Sequence, residues 1–185
     1  MDSFSTKFVV VQPLQEVVTI NKLEYCAAIV QYANVQIIAL FDKDYEVSAG
    51  DCIESDSCFL TDMVKKVSTA GDCFNQWGFR VVNPFKVDKE DFVPMESPLV
   101  TIFGRLLKKP GREITIVSTW HKEFYRATLN VMDERRMFYR IPVLAFSSRA
   151  RKLYNVENKS LIEVKGLIVY DKVNDKLVID IKSLK

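Results

Sequence analysis

The stretch FYRIPVLAFSSRARKLY, residues 138–154, changes its character in the middle. Residues 138–146 are rich in aromatic and β-branched side chains, which favour an extended strand. Ser147 and Ser148 follow, and serine is a preferred residue at the start of a helix. The stretch therefore predicts a strand that leads directly into a short helix ending near Tyr154.

Strands are predicted on both sides of this helix. The Pro110-Gly111 pair predicts a hairpin loop over residues 108–112, and charged turns follow at 133–136 and 171–175. The strand-like runs cover 100–103, 114–117, 124–132, 161–169 and 177–181. About five strands with one helix between the third and the fourth is the layout of an OB-fold barrel. A mainly β fold with an OB-fold barrel in the C-terminal half is therefore expected.

The N-terminal half shows a similar pattern that is less regular. Apolar residues recur at helical spacing over 59–67, after Asp56 or Ser57 as a candidate cap, so this segment is predicted to be a short helix. Strand-like runs cover 8–11, 17–20, 25–30, 35–41 and 76–83, with a turn at 48–51. This pattern fits a diverged OB-fold, and it also fits other α+β modules.

The near-neutral charge of the chain conceals two opposed halves. Residues 86–98 carry six charges and two prolines without a steady period, which indicates a linker or an extended connection. Residues 1–95 hold 8 Lys+Arg and 14 Asp+Glu, a net charge of −6, whereas residues 96–185 hold 18 and 10, a net charge of +8. This asymmetry predicts an acidic domain at 1–95 and a basic, nucleic-acid-facing domain at 96–185. The alternative is that the two halves dock on each other by charge.

Several classes of protein are disfavoured. The chain has no apolar run of about 18 residues and no secretory signal, so we expect a soluble protein inside the cell. With His121 as its single histidine, and with Cys26, Cys52, Cys58 and Cys73 lacking zinc-site spacing, no metal site is expected. No phosphate-binding loop, nucleophile elbow or Cys/His pair is present, so neither an enzyme nor a cofactor is predicted.

Four segments of the C-terminal half, in the same order, resemble the bacterial single-stranded-DNA-binding protein family, including primosomal replication protein N. The segment GRLLKKP at 104–110 matches the pattern G-x-L-x-x-x-P, and ATL at 127–129 has the character of the next strand. The segment IPVLAFSSRA at 141–150 resembles I-P-V-x-x-F-x-x-x-A, and SLIEVKGL at 160–167 resembles a serine-led strand that contains a glycine. The resemblance covers residues 98–185 and implies an OB-fold that binds single-stranded DNA.

The chain departs from this family at identifiable positions. Lys159 stands where the family has a glycine, and Arg135, Arg140 and Val173 stand at or near positions where its members stack bases on aromatic rings. The glycine-rich tail with an acidic tip has no counterpart before Lys185. These departures favour the primosomal type, which depends more on basic residues.

Candidate binding residues follow from strand alternation and from the basic loops. If Tyr125, Ala127, Leu129 and Val131 point inward, Arg126 faces outward on the second strand, and Phe138, Arg140 and Phe146 share one face of the third. Trp120 and Tyr170 are candidate stacking residues, and the remaining candidates are loop cations. The full set is Arg105, Lys108, Lys109, Arg112, Trp120, Arg126, Arg135, Arg136, Phe138, Arg140, Phe146, Tyr170 and Lys172.

The sequence thus predicts a non-enzymatic protein that binds single-stranded nucleic acid during replication or recombination. The strand is expected to be DNA, with RNA as the alternative. We expect a homo-oligomer, preferably a dimer, in the cytoplasm near the nucleoid, with replication proteins as further partners and no membrane contact. The competing interpretation is an OB-fold module for protein–protein assembly that has little affinity for nucleic acid.

Overall fold

The computed structural model shows two compact units, Ser3–Pro98 and Leu99–Lys185. Both are built from β-strands, and the one helix in the described part of the chain belongs to the second unit. No helix within the described residues is long and apolar enough to cross a membrane. The structure describes residues 3–15, 17–20, 22–67, 73–117, 122–132, 136, 138–174 and 176–185.

In the first unit, five strands close into a barrel through the pairings β1–β3–β4–β6–β5 and back to β1. The pairing of β4 with β6 is parallel and the other four are antiparallel. The short strands β2 and β7 are added to β3 and β5. The strands are β1 (Phe4–Pro13), β2 (Val18–Ile20), β3 (Leu23–Tyr32), β4 (Val35–Asp42), β5 (Cys52–Val67), β6 (Cys73–Val82) and β7 (Phe85–Val87).

The second unit repeats the same circuit of pairings, now with a helix between its third and fourth barrel strands. The order is β8–β10–β11–β13–β12 and back to β8, and again the third strand pairs in parallel with the fifth. A short strand, β9, is added to β10. The elements are β8 (Leu99–Leu107), β9 (Thr115–Val117), β10 (Lys122–Met132), β11 (Phe138–Phe146), α1 (Ser148–Asn155), β12 (Leu161–Asp171) and β13 (Lys176–Leu184). The strands and the helix predicted for this half are therefore present.

The two barrels fill the place between the third and fourth strands differently. In the second unit, Ala150 and Leu153 of α1 are completely buried. In the first unit, β4 and β5 are joined by turns, and the ring of Tyr45 stacks on that of Phe41 with 5.3 Å between centroids. Phe41 in turn contacts Phe8, so the Tyr45 side chain extends the group of aromatic rings in the barrel.

The helix predicted over residues 59–67 is wrong, because this segment belongs to strand β5. Its residues pair in antiparallel fashion with β6, from Ser57 opposite Val82 to Val67 opposite Cys73, with an irregularity between Thr61 and Val64. Consecutive residues Cys58 to Leu60 are all buried. A strand that is buried on both faces lacks polar–apolar alternation, so its apolar residues can match a helical period by coincidence.

Ser147 lies at the start of α1, but its side chain does not cap the helix. Its φ of 54° differs from the extended backbone of an ordinary capping residue, and the structure shows no capping hydrogen bond from its hydroxyl. Instead, the Ser147 amide donates to the carbonyl of Glu123 at 2.7 Å, and its own carbonyl accepts from Ala150. The predicted helix is thus present, whereas side-chain capping by the serines is not.

The charged segment after β7 contains no strand or helix between residues 88 and 98. It begins with a turn in which the Asp91 amide donates to the Asp88 carbonyl at 3.0 Å. The boundary between the two compact units falls at its end, between Pro98 and Leu99.

We predict that Gly166→Ala destabilises the protein by about 1–3 kcal/mol, measured by urea unfolding. A Cβ atom at Gly166 would lie 2.5 Å from the Asp180 carbonyl oxygen and 2.6 Å from a methyl group of Ile179, so the neighbouring strand would have to move. Gly111→Ala is the matched control, because a Cβ there meets nothing within 4 Å and only the positive φ of 71° opposes it. Because Gly166 has no positive φ, an unchanged stability of Gly166→Ala would show that the clash costs nothing and would contradict the prediction.

We also predict that Lys159→Gly raises the free energy of unfolding by about 0.5–1 kcal/mol. Lys159 has a φ of 71°, a conformation that glycine adopts without steric cost, and it is held there by hydrogen bonds between its backbone and β8. The same replacement at Lys165, in the interior of β12 where it pairs with Thr101 and Ser183, should lower stability. Calorimetric melting of both variants checks the opposite signs, and destabilisation by Lys159→Gly would contradict the prediction.

Candidate nucleic-acid interface

Strands β10 and β11 form a two-stranded surface with one buried side and one outward side. Nine residue pairs join them in unbroken register from Phe124–Phe146 to Met132–Phe138. The predicted alternation is confirmed, because Tyr125, Ala127, Leu129 and Val131 are all buried in the barrel. We call the outward side the β10–β11 face; its residues are Phe124, Arg126, Thr128, Asn130, Met132, Phe138, Arg140, Pro142, Leu144 and Phe146.

One end of the β10–β11 face exposes a large apolar surface beside positive charge. Phe138 is 59% exposed and its cross-strand partner Met132 is 46% exposed. In the next row, exposed Arg140 lies opposite Asn130, which in turn pairs with exposed Arg105 on β8. An exposed ring next to cations is the combination that contacts with bases and phosphates require.

The other end of the face is a cluster of aromatic rings and one arginine. The Arg126 guanidinium carbon lies 4.6 Å from the centroid of the Phe124 ring, and the Phe124 and Phe146 rings are 6.4 Å apart. Arg126 and Phe146 were predicted from the sequence, whereas Phe124 was not. The signal that could have identified Phe124 is its position at the start of the same strand, two residues before Arg126 and therefore on the same side.

Arg126 is also held by Asp171, at the end of β12. Its Nε and Nη2 atoms lie 3.3 and 3.1 Å from Asp171 Oδ2, and the two side chains are 22% and 6% exposed. The same carboxylate accepts hydrogen bonds from the Val173 amide at 3.1 Å and from Asn174 Nδ2 at 2.7 Å. Asp171 thus joins the turn between β12 and β13 to the β10–β11 face.

The environment of Asp171 favours its ionised form. Burial opposes ionisation, but the hydrogen bond from Asn174 and the positive charge of Arg126 outweigh it, so the pKa of Asp171 lies below its ordinary value of 3.8. The carboxylate is therefore charged at neutral pH, and the ion pair with Arg126 is present.

The predicted loop cations have different environments. Lys108 is turned toward α1, where its ammonium donates to the Tyr154 carbonyl and lies 5.5 Å from the Tyr154 ring centroid. Arg105 donates to the carbonyl of Lys159 at 3.3 Å. The candidates that are exposed in loops or at a strand end are Lys109, Arg112, Arg136, Tyr170 and Lys172, whereas Trp120 and Arg135 lie outside the described residues.

Residues at both ends of the loop between β8 and β10 contact α1. At its beginning, Lys108 contacts Tyr154, and its amide also donates to Asn158 Oδ1 at 3.0 Å. At its end, Glu123 accepts two hydrogen bonds from Arg151 at 2.5 and 2.6 Å. Within the loop, Lys109 and Arg112 flank a turn in which Gly111 has a φ of 71°, as the Pro-Gly pair predicts.

The corresponding face of the first unit, on β3 and β4, is apolar and covered. Tyr25 and Ala27 of β3 form a buried cluster with Ile38 and Leu40 of β4 and with Ile20 of β2. Leu14 and Val18, from the segment between β1 and β3, also pack on this cluster. The Leu14 amide donates to the Ala27 carbonyl at 2.8 Å, and β2 pairs with the beginning of β3. This unit therefore covers with its own chain the surface that the second unit leaves open.

We predict that Asp171→Asn removes stability in a pH-dependent way. Because the pKa of Asp171 is lowered in the folded state, its ionisation stabilises the protein above about pH 4 and ceases to do so as the pH falls through the folded-state pKa. The difference in unfolding free energy between wild type and variant should be constant above about pH 5 and shrink below about pH 4, as measured by urea unfolding. A difference that stays the same down to about pH 2 would contradict the prediction.

No family model matches this chain, and no curated protein matches it in sequence. Solved structures do match. The wild-type single-stranded DNA binding protein from Thermus aquaticus aligns with a TM-score of 0.66 and 13% identity, over 100% of this chain and 93% of that chain. A deletion mutant of the same protein aligns with a TM-score of 0.68 and 12% identity, over 98% of this chain and 92% of that chain.

A shorter structure matches part of the chain. The N-terminal domain of PriB protein from Thermoanaerobacter tencongensis covers 47% of this chain at 15% identity, with a TM-score of 0.40 that is too low to establish a shared fold. The comparison therefore rests on the two Thermus aquaticus structures, which confirm the expected resemblance at the level of the fold. The chain is mainly β, contains closed five-stranded barrels, and has the fold of the Thermus aquaticus single-stranded DNA binding protein along nearly its whole length.

Proposed function

We propose that the protein binds single-stranded nucleic acid, in the first place DNA, through the β10–β11 face and its bordering loops, and that it has no catalytic activity. The observation that carries this proposal is the composition of that face. Exposed Phe138 and Met132 lie beside Arg140, and the cluster of Phe124, Arg126 and Phe146 lies at the other end. Rings that stack with bases and cations that contact phosphates are the two elements of sequence-tolerant strand binding.

The charge distribution supports the same surface. Residues 96–185 have a net charge of +8, and exposed Lys109, Arg112, Arg136 and Lys172 extend the positive charge into the turns beyond the face. Lys108 is a weaker candidate for phosphate contact, because its ammonium is engaged by the helix. The shared fold with a single-stranded DNA binding protein is consistent with this assignment.

We assign a different task to the acidic half. Residues 1–95 have a net charge of −6, which disfavours contact with phosphates, and the covered β3–β4 face has no exposed ring or cation to offer. The proposed organisation is therefore a basic OB-fold domain at 96–185 and a diverged OB-fold at 1–95 that serves protein contacts or self-association. A dimer of the chain, bound to other replication proteins, is the assembly we propose.

The cellular role that fits such a protein is the protection of exposed strands during replication or recombination. This role would place it in the cytoplasm beside the nucleoid. RNA remains the alternative strand, and competition between DNA and RNA oligonucleotides of equal length distinguishes the two.

We predict that wild-type protein binds a fluorescent poly-dT oligonucleotide with an affinity that falls steeply as salt increases. Phe138→Ala should weaken binding by about 5–150-fold, because loss of base stacking costs about 1–3 kcal/mol. Arg140→Glu should weaken binding further at low salt, because it replaces a cation on the face by a negative charge. Fluorescence anisotropy at two salt concentrations measures both effects.

Two variants in the acidic half are the controls. Phe85→Ala removes an exposed ring from β7, and Lys89→Glu makes the same change in charge as Arg140→Glu. Neither should alter the affinity. If wild type does not bind poly-dT or its RNA counterpart at low salt, the proposal is wrong and the assembly module is favoured instead. Reversing the charge of Arg126 is a poor test, because a carboxylate there would face Asp171 and disturb the fold.

A further inference from the structure

The ion pair with Asp171 distinguishes Arg126 from the other arginines and lysines of the proposed interface. The inference drawn from this difference rests on the proposed function. Most candidate cations are exposed, but Arg126 lies against a carboxylate that is 6% exposed and is ionised at neutral pH. Its positive charge is already balanced within the protein. A cation balanced in this way has little charge left to neutralise a phosphate or to release a counterion from DNA.

The geometry of Arg126 suits a different contact. Its guanidinium lies 4.6 Å from the Phe124 ring centroid, and its Nε and Nη2 atoms both donate to a single oxygen of Asp171. A guanidinium is planar and stacks on aromatic faces, and nucleic-acid bases stack on guanidinium planes. The part of Arg126 that remains accessible, 22% of its side chain, is therefore suited to stacking with a base beside the Phe124 and Phe146 rings.

Asp171 also determines where the neighbouring turn lies. Its carboxylate accepts from the Val173 amide and from Asn174, so the residue that balances Arg126 also fixes the turn that carries Lys172. Val173, at the tip of this turn, is 85% exposed.

We propose that Asp171 is a positioning residue that makes Arg126 a base-stacking surface instead of a phosphate-binding cation. Arg126 then contributes to affinity through the base and not through charge. Lys172, which is exposed in the adjacent turn, contributes through charge and not through the base. The two residues differ in a property that salt titration measures directly.

The test compares three full-length variants on poly-dT across a range of salt concentrations. Arg126→Lys, which keeps the positive charge beside Asp171 and removes the guanidinium plane, should weaken binding several-fold and leave the slope of log affinity against log salt unchanged. Lys172→Gln should reduce the steepness of that slope by about 0.7, the value expected when one contact with a single-stranded phosphate is lost. Asp171→Asn should increase the steepness by about 0.7, because it leaves the charge of Arg126 unbalanced.

A second probe tests the stacking directly and does not depend on the stability of Asp171→Asn. On an abasic oligonucleotide of the same length and charge, Arg126→Lys should bind as wild type does, whereas Lys172→Gln should still bind more weakly. If Arg126→Lys binds poly-dT as tightly as wild type does, or stays weaker on the abasic strand, or if Asp171→Asn leaves the slope unchanged, the positioning role of Asp171 is wrong. Absence of wild-type binding would instead contradict the proposed function itself.

Discussion

The parallel pairing of the third barrel strand with the fifth closes each unit, and the position of the candidate site follows from it. In the second unit, Val143 and Leu144 pair with Ile179 and Asp180, and without this contact the five strands would form an open sheet with two free edges. Gly166 lies against these same fifth-strand residues, so the close approach of its backbone helps the strands to meet. Closure also fixes which sides of β10 and β11 point out of the barrel.

The two barrels share the same strand pairings, but the outer surfaces of their second and third strands differ. In the first unit, the outer side of the second and third strands is apolar, and the chain between β1 and β3 covers it. In the second unit, the equivalent side carries arginines, polar residues and three phenylalanine rings, of which Phe138 is exposed. The third strands illustrate the difference, since Leu40 on β4 is buried and Arg140 on β11 is exposed. The same barrel architecture thus supports a covered surface in one unit and an open one in the other. The difference is determined by outward side chains that do not affect closure of the barrel.

Local patterns in the sequence predicted most of the second unit, because alternation and turn chemistry are properties of short segments. The inward set on β10 and the Pro110-Gly111 turn are examples. The segment 59–67 was wrongly predicted as a helix, because its first residues, Phe59 to Thr61, are buried in succession and lack the alternation that marks a strand. The ion pair between Arg126 and Asp171 could not be predicted, since 45 residues separate its partners and only barrel closure brings them together. Strand β2 was predicted from its local sequence. The β3–β4 face that it covers was not predicted, because that contact also joins separate segments.

The helix α1 contacts both ends of the loop between β8 and β10, through Tyr154 at the beginning and Arg151 at the end. Both ends of that connection are therefore held by one helix of eight residues, in addition to the direct pairing of β8 with β10. In the first unit, the described connection between β4 and β5 contains no helix, and the segment between β1 and β3 lies across the sheet. A short helix at this position thus does more than fill the barrel. It also ties the first and last residues of the β8–β10 connection to one short element, so unfolding of the helix would release both ends of that connection together.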